Sequence, residues 1–226
     1  MKRGWAMKAR MVVRFVTLTI LFGCILMGTA GTVRFWQAWA FLALLGGGSA
    51  ALAVYLVRRD PALLERRMRR EEQRPVQKVF HYSTISAWLL AFLLAGLSRR
   101  YGWSPVLPWW VCAVGLAVVA WSFAINYATL RANTFASATI RLEENQRVIS
   151  TGPYRIVRHP MYSGIAVLVV GMPIALGAVA ALAASAIMIA MLVLRLLDEE
   201  KLLRAELPGY AEYCARVKWR LAPGVY

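Results

Sequence analysis

"MYSGIAVLVVGMPIALGAVAALAASAIMIAMLVL", residues 161–194, is an apolar run without a single charged residue. As one α-helix it would extend about 51 Å, at about 1.5 Å per residue. A bilayer core of about 30 Å needs only roughly 20 apolar residues. The run must therefore tilt strongly and project into water, or fold into two arms. Its middle, "GMPIALG" (171–177), sets Pro173 between Gly171 and Gly177. A lost helix hydrogen bond between two weak helix formers favours a kink or turn there.

Four more apolar runs precede it, at about 12–30, 36–57, 79–98 and 106–130. The gaps between runs alternate in charge. Five basic residues lie in the N-terminal 14, one in 31–35, eight in 58–78, two in 98–104, five in 131–160 and six in 195–226. The positive-inside rule then puts the N-terminus, the 58–78 loop, the 131–160 loop and the tail in the cytoplasm. A cytoplasmic tail requires an even number of passes after residue 160. A hairpin with a short arm of about 161–172 and a longer arm of about 176–197 meets that requirement. The expected fold is all-α: a polytopic integral membrane protein with four transmembrane helices plus a C-terminal helical hairpin, five to six membrane segments in one domain spanning 1–226.

Composition agrees. Hydrophobic residues make up 60% of the 226, against about 45–50% in soluble domains, and mean hydropathy is +0.54. The net charge of +16 would suit nucleic acid, but its placement between apolar runs argues for sidedness and against a nucleic-acid partner. Cys24, Cys112 and Cys214 form neither a CxxC nor a Cys/His ligand set. They signal no disulfide framework and no metal, and read as buried thiols. The basic start before residues 11–31 imitates a signal peptide, but the spans that follow it favour a retained first helix. Residues 58–78 read as an interfacial amphipathic helix, with Asp60-Pro61 as N-cap and first-turn proline. "GGGS" at 46–49 reads as close helix packing.

Two polar constellations flank the long run. The first is "TGPYRIVRHPMYSG", residues 151–164. Gly152-Pro153 marks a turn, and Pro160 biases His159 out of the helical region while serving as the first residue of the next helix. Arg158 and His159 then stand at a helix N-terminus, with Tyr162 in its first turn. That arrangement suits a carboxylate or phosphate; the same residues also serve as interface anchors. The second is "RLLDEEKLLRAELPGYAEYCARVKWRLAPGVY", residues 195–226. Arg195 and Glu199 are i, i+4 and share a helix face. Glu200 points about 100° away, so the two glutamates cannot do the same job. An arginine and a carboxylate at the membrane boundary must pair or serve a site. Leu202, Leu203 and Leu207 continue the helix until Pro208-Gly209.

These residues resemble the isoprenylcysteine carboxyl methyltransferase family, which is related to the phospholipid N-methyltransferases. Gly152, Tyr154, Arg158, His159, Pro160, Tyr162 and Gly164 match its first motif, and Arg195, Glu199 and Glu200 its second. The match covers roughly residues 126–226. It implies S-adenosylmethionine held in a core over 131–226 and capped by the cytoplasmic loop and tail. It places Tyr154, His159, Pro160, Tyr162, Glu200 and Asn133 near that cofactor, with Phe135 beside Asn133. Arg158, Arg195 and Glu199 fall nearer the methyl-transfer centre. The implied acceptor is lipophilic or small: a carboxylate such as prenylcysteine, a lipid amine or a thiol. The eight basic residues of 58–78 have no role in what the resemblance implies. The Arg- and Ala-rich composition points to a bacterial inner membrane. Two other classes stay open: an NADPH-dependent enzyme like the membrane sterol reductases, whose tail and RHPxY-like motif are similar, and a non-catalytic membrane protein that binds anionic lipids.

Overall fold

A computed structural model describes residues 2–68, 75–136 and 146–226. Among these the chain is all helical: α1 (Lys2–Ala30), α2 (Trp36–Arg59), α3 (Pro61–Met68), α4 (Pro75–Tyr101), α5 (Trp109–Ala132), α6 (Pro160–Ala175), α7 (Leu182–Glu206) and α8 (Tyr210–Arg216). Short 3₁₀ turns at Gly152–Arg155 and Val179–Ala181 precede α6 and α7. Among the described residues three helices are long and apolar enough to cross a membrane: Trp36–Arg59, Trp109–Ala132 and Val179–Glu206. Val16–Ala30 and Pro160–Ala175 are shorter apolar helices.

The 58–78 stretch is not one amphipathic helix. α2 runs through Arg59 and Asp60 breaks the chain, capping α3 by accepting from the Leu63 N–H at 2.9 Å. Residues 69–74 lie outside the described residues, as do 137–145 of the second basic loop. Of the three thiols, Cys112 and Cys214 are buried, but Cys24 is exposed on α1.

The long apolar run does fold into two helices, but the turn does not fall at Pro173. That proline lies inside α6, which continues to Ala175. Gly177 ends the helix at φ 65°, and the Ala178 N–H closes back onto the Pro173 carbonyl at 2.8 Å. A left-handed glycine after the last helical turn is a common way to stop a helix. Proline has another consequence. Lacking an N–H, Pro173 cannot bond the Val169 carbonyl four residues back. The buried Ser185 hydroxyl of α7 donates to that carbonyl instead, at 2.8 Å. A hydroxyl from a neighbouring helix thus restores the bond that proline removed, as apolar surroundings require.

Small residues let the helices approach. A Cβ on Gly115 of α5 would sit 2.7 Å from the Ala175 Cα of α6. One on Gly171 would sit 2.8 Å from Val118, and one on Gly48 would sit 2.6 Å from the Phe123 ring, whereas Gly47 faces open space. Close packing therefore accounts for part of the GGGS run. α1, α2, α4, α6 and α7 share a core built on Leu26, Phe41, Phe92, Met172 and Leu176.

Ser185→Ala should cost about 1–3 kcal/mol, the penalty for leaving a buried carbonyl unpaired. In a Pro173→Ala background the Val169 carbonyl regains its helical partner, and the same change should cost clearly less. A double-mutant cycle on unfolding in detergent checks this.

Candidate active site

The first motif is shaped by its own turn residues. Gly152 adopts φ 57° and opens the 3₁₀ turn that carries Tyr154. His159 stands just outside α6 at φ −125°, ψ 63°, with Pro160 as the first helical residue. The C-terminal tail lies along this segment. The Arg158 N–H donates to the Trp219 carbonyl at 2.9 Å and the His159 N–H to the Arg220 carbonyl at 3.0 Å. The Ser163 hydroxyl donates to the Leu221 carbonyl at 2.6 Å.

The anion that meets Arg158 and His159 is supplied by the chain itself. Glu200, 3% exposed, accepts from Arg158 Nε at 2.7 Å and from Arg220 Nε at 3.0 Å. His159 Nε2 lies 3.3 Å from the same carboxylate and 3.4 Å from the Tyr210 hydroxyl. Arg158 also donates to the Val217 carbonyl at 3.1 Å. The helix end, the last turns of α7 and the tail are therefore tied at one buried carboxylate. Its hydrogen bond holds the Arg220 guanidinium above its ordinary pKa. Burial, reinforced by the Glu200 charge, pushes the Tyr210 phenol up.

One residue earlier, Glu199 faces the other way. It accepts from the Tyr162 hydroxyl at 2.5 Å, and the same hydroxyl accepts from Arg195 Nε at 3.3 Å. The i, i+4 pair on α7 is thus bridged by a tyrosine of α6. Tyr162 also stacks on His159, with ring centroids 5.7 Å apart. Asn133 Nδ2 donates to the Tyr154 hydroxyl at 2.9 Å, and Asn133 Oδ1 accepts from the Phe135 N–H at 2.8 Å. Tyr154 is held neutral: burial raises its pKa to about 12, against the opposing pull of the Asn133 bond.

These groups border a cavity of about 410 Å³. Asn133, Tyr154, Arg158, His159, Tyr162, Arg195 and Glu199 all line it, whereas Pro160 and Glu200 do not. Its polar end grades into an apolar section walled by Trp88 of α4, Leu168 of α6 and Met188 and Leu192 of α7. The sequence reading missed Arg67 and Tyr210, which also line the cavity, and Arg220, which completes the Glu200 cluster. Tyr210 follows the helix-ending Pro208-Gly209, a signal that a turn would fold it back. Arg67 and Arg220 had no local signal, being single members of basic stretches.

Both motifs, with the helices that carry them, fall inside one match to a known family. Residues 110–207 match the phospholipid methyltransferase family. That match spans 98 of the 226 residues and takes in two of the helices long and apolar enough to cross a membrane. Among solved structures, the eukaryotic intramembrane Ras methyltransferase ICMT (isoprenylcysteine carboxyl methyltransferase) is similar, with TM-score 0.49 and 16% identity over 87% of this chain and 72% of that one. No curated protein matches significantly.

Removing one member of a buried ion pair strands the other. Arg158→Met and Glu200→Gln should each cost about 3–5 kcal/mol. The double variant should cost well under the sum of the two, because both act on one interaction. Thermal unfolding of the purified variants in one detergent measures all three.

Proposed function

We propose that this protein is an integral-membrane, S-adenosylmethionine-dependent methyltransferase that passes a methyl group to a lipophilic or small acceptor. The observation that carries the reading is the cavity itself, where the Arg195–Tyr162–Glu199 chain closes the polar end of an otherwise apolar space. The match of residues 110–207 supports it.

The residues fit such a cofactor. A volume of about 410 Å³ falls in the usual range for small-molecule sites, about 300–1,000 Å³. The walls offer an amide at Asn133, phenols at Tyr154 and Tyr162, and a carboxylate at Glu199 to face a cation. S-adenosylmethionine, when bound, supplies a methyl group already activated on a sulfonium. The chain's own task is then alignment and exclusion of water. Tyr162 holds Glu199 in place, and Arg195 fixes the tyrosine oxygen. Glu199 would take the proton from an amine or thiol acceptor. A carboxylate acceptor has no proton to lose, and the arginines would orient it.

In this reading four transmembrane helices and the α6–α7 hairpin make one membrane domain with both termini cytoplasmic. Residues 131–226 form the cofactor-binding core at that face, in the inner membrane of a bacterium.

Calorimetric titration of detergent-purified protein with S-adenosylhomocysteine, and separately with NADPH, tests the reading. The first should bind and the second should not. Glu199→Gln should lower turnover by about 10²–10⁴-fold with any acceptor that must lose a proton, the usual contribution of a general base. Binding of NADPH alone would make the protein a reductase; silence from both, in folded protein, would favour a lipid-binding scaffold.

A further inference from the structure

The basic stretch after α2 places one arginine inside the cavity. α3 is docked by Leu63 and Leu64, buried against Leu56, Leu130 and Ala136. Asp60 locks it from both sides: one carboxylate oxygen caps α3, and the other accepts from the Thr134 hydroxyl at 2.6 Å. Arg66 donates to the Thr134 carbonyl at 2.7 Å. The next residue, Arg67, is therefore delivered to the cavity wall beside Asn133, Tyr154 and Tyr162.

Arg67 donates through Nη1 to the Ala136 carbonyl at 3.1 Å and to the Met161 sulfur at 3.4 Å. Neither partner is an anion, and a thioether is a weak acceptor. Among the described residues no carboxylate is bonded to Arg67, in contrast to Arg158 and Arg220, which share Glu200. Arg67 is half-buried, and burial lowers its pKa against the opposing pull of the Tyr154 and Tyr162 phenols. A half-buried guanidinium at a cavity wall, bonded only to a carbonyl and a thioether, has donors left for an anion, and a charge-assisted bond there is stronger than either.

The cavity as a whole leans the same way. Arg67, Arg147, Arg158 and Arg195 line it; Glu200 offsets Arg158 from behind the wall, and Glu199 is the one lining carboxylate among the described residues. S-adenosylmethionine does not correct that balance, since its sulfonium and ammonium outnumber its carboxylate.

We propose that Arg67 is a ligand-binding residue that receives a carboxylate or phosphate brought into this cavity. The proposal rests on the methyl-transfer reading for the identity of the two ligands: the anion is either the carboxylate of the donor's amino-acid end or an anionic group on the acceptor. Arg67's planar fork suits either, because two parallel N–H groups can meet two oxygens.

Arg67→Gln and Arg67→Lys, both checked for folding by thermal unfolding, separate the sources. In the first arm, calorimetry compares S-adenosylhomocysteine with its decarboxylated analogue. In the second, protein held with S-adenosylhomocysteine is titrated with laurate, lauryl phosphate and dodecanol. If the donor supplies the anion, wild type should prefer S-adenosylhomocysteine over the analogue by about 10- to 100-fold, as expected for a hydrogen bond to a charged group. That preference should vanish in Arg67→Gln and partly return in Arg67→Lys. If the acceptor supplies it, the same loss and return should appear in the preference for laurate or lauryl phosphate over dodecanol. General loosening of the fold would weaken charged and uncharged ligands alike and leave both ratios unchanged. Unchanged ratios in folded Arg67→Gln protein would overturn the assignment while leaving the methyltransferase reading intact. Wild-type protein that binds no S-adenosylhomocysteine would instead overturn the functional reading.

Discussion

A buried carboxylate tolerates no vacancy among its partners, and Glu200 imposes that condition on three separated segments. The start of α6 contributes Arg158 and His159, α7 contributes the carboxylate, and the tail contributes Arg220. Two guanidiniums and an imidazole around one carboxylate satisfy it by charge-assisted bonds, which are shorter and stronger than neutral ones. The tail has few other reasons to fold back over α6. Its other contacts there include three carbonyls: Trp219 and Arg220 accept from the Arg158 and His159 N–H groups, and Leu221 accepts from the Ser163 hydroxyl. Adjacent positions on α7 are about 100° apart around the helix, so an anchoring glutamate and a cavity-facing one can sit side by side without competing. Glu200 holds the walls, and Glu199 belongs to what the walls enclose.

The geometry at the polar end also depends on a detail near the opposite end of the hairpin. Arg195 and Glu199 reach Tyr162 only if α6 and α7 keep their register. The Ser185 bond to the Val169 carbonyl fixes that register inside apolar surroundings, where a misplaced hydroxyl and an open carbonyl would both be costly. Gly115 and Gly171 press α6 close against α5, so the hairpin cannot shift without a clash of backbone or side-chain atoms. Rigid packing near the turn is thereby converted into alignment at the site, which is what a reaction governed by approach geometry requires.

Much of this was legible in the sequence because it rests on local periodicity. Apolar run lengths located α2, α4 and α5 to within four residues, whereas α1 starts ten residues before its apolar run and α7 continues past the expected 197 to Glu206. Pro160 marked the start of α6, and the i, i+4 spacing put Arg195 and Glu199 on one face with Glu200 on another. What escaped depends on long-range pairing. Spacing cannot show that the anion facing Arg158 and His159 is Glu200, 42 positions from the arginine. Nor does a proline reveal whether it ends a helix or opens a carbonyl for a neighbour; Pro173 does the second, and the break falls at Gly177. Arg67 sits among eight basic residues in 58–78, and only the docking of α3 singles it out.

The cavity therefore combines two opposed environments, and each limits what the other can admit. Its apolar section, between Trp88 and Leu192, rewards a hydrocarbon and penalises a bare charge. Its polar end, with several arginines and one lining glutamate among the described residues, rewards an anion. A water-soluble ion would gain the second environment but fill none of the first, and a plain hydrocarbon would do the reverse. An amphiphile with an anionic head satisfies both, and its orientation is then fixed before any chemistry begins. Under the proposed methyl transfer, a head held beside Arg67 would leave Glu199 and Tyr162 to align a reacting group elsewhere on the ligand, whereas a carboxylate head that is itself methylated would be the group the arginines orient.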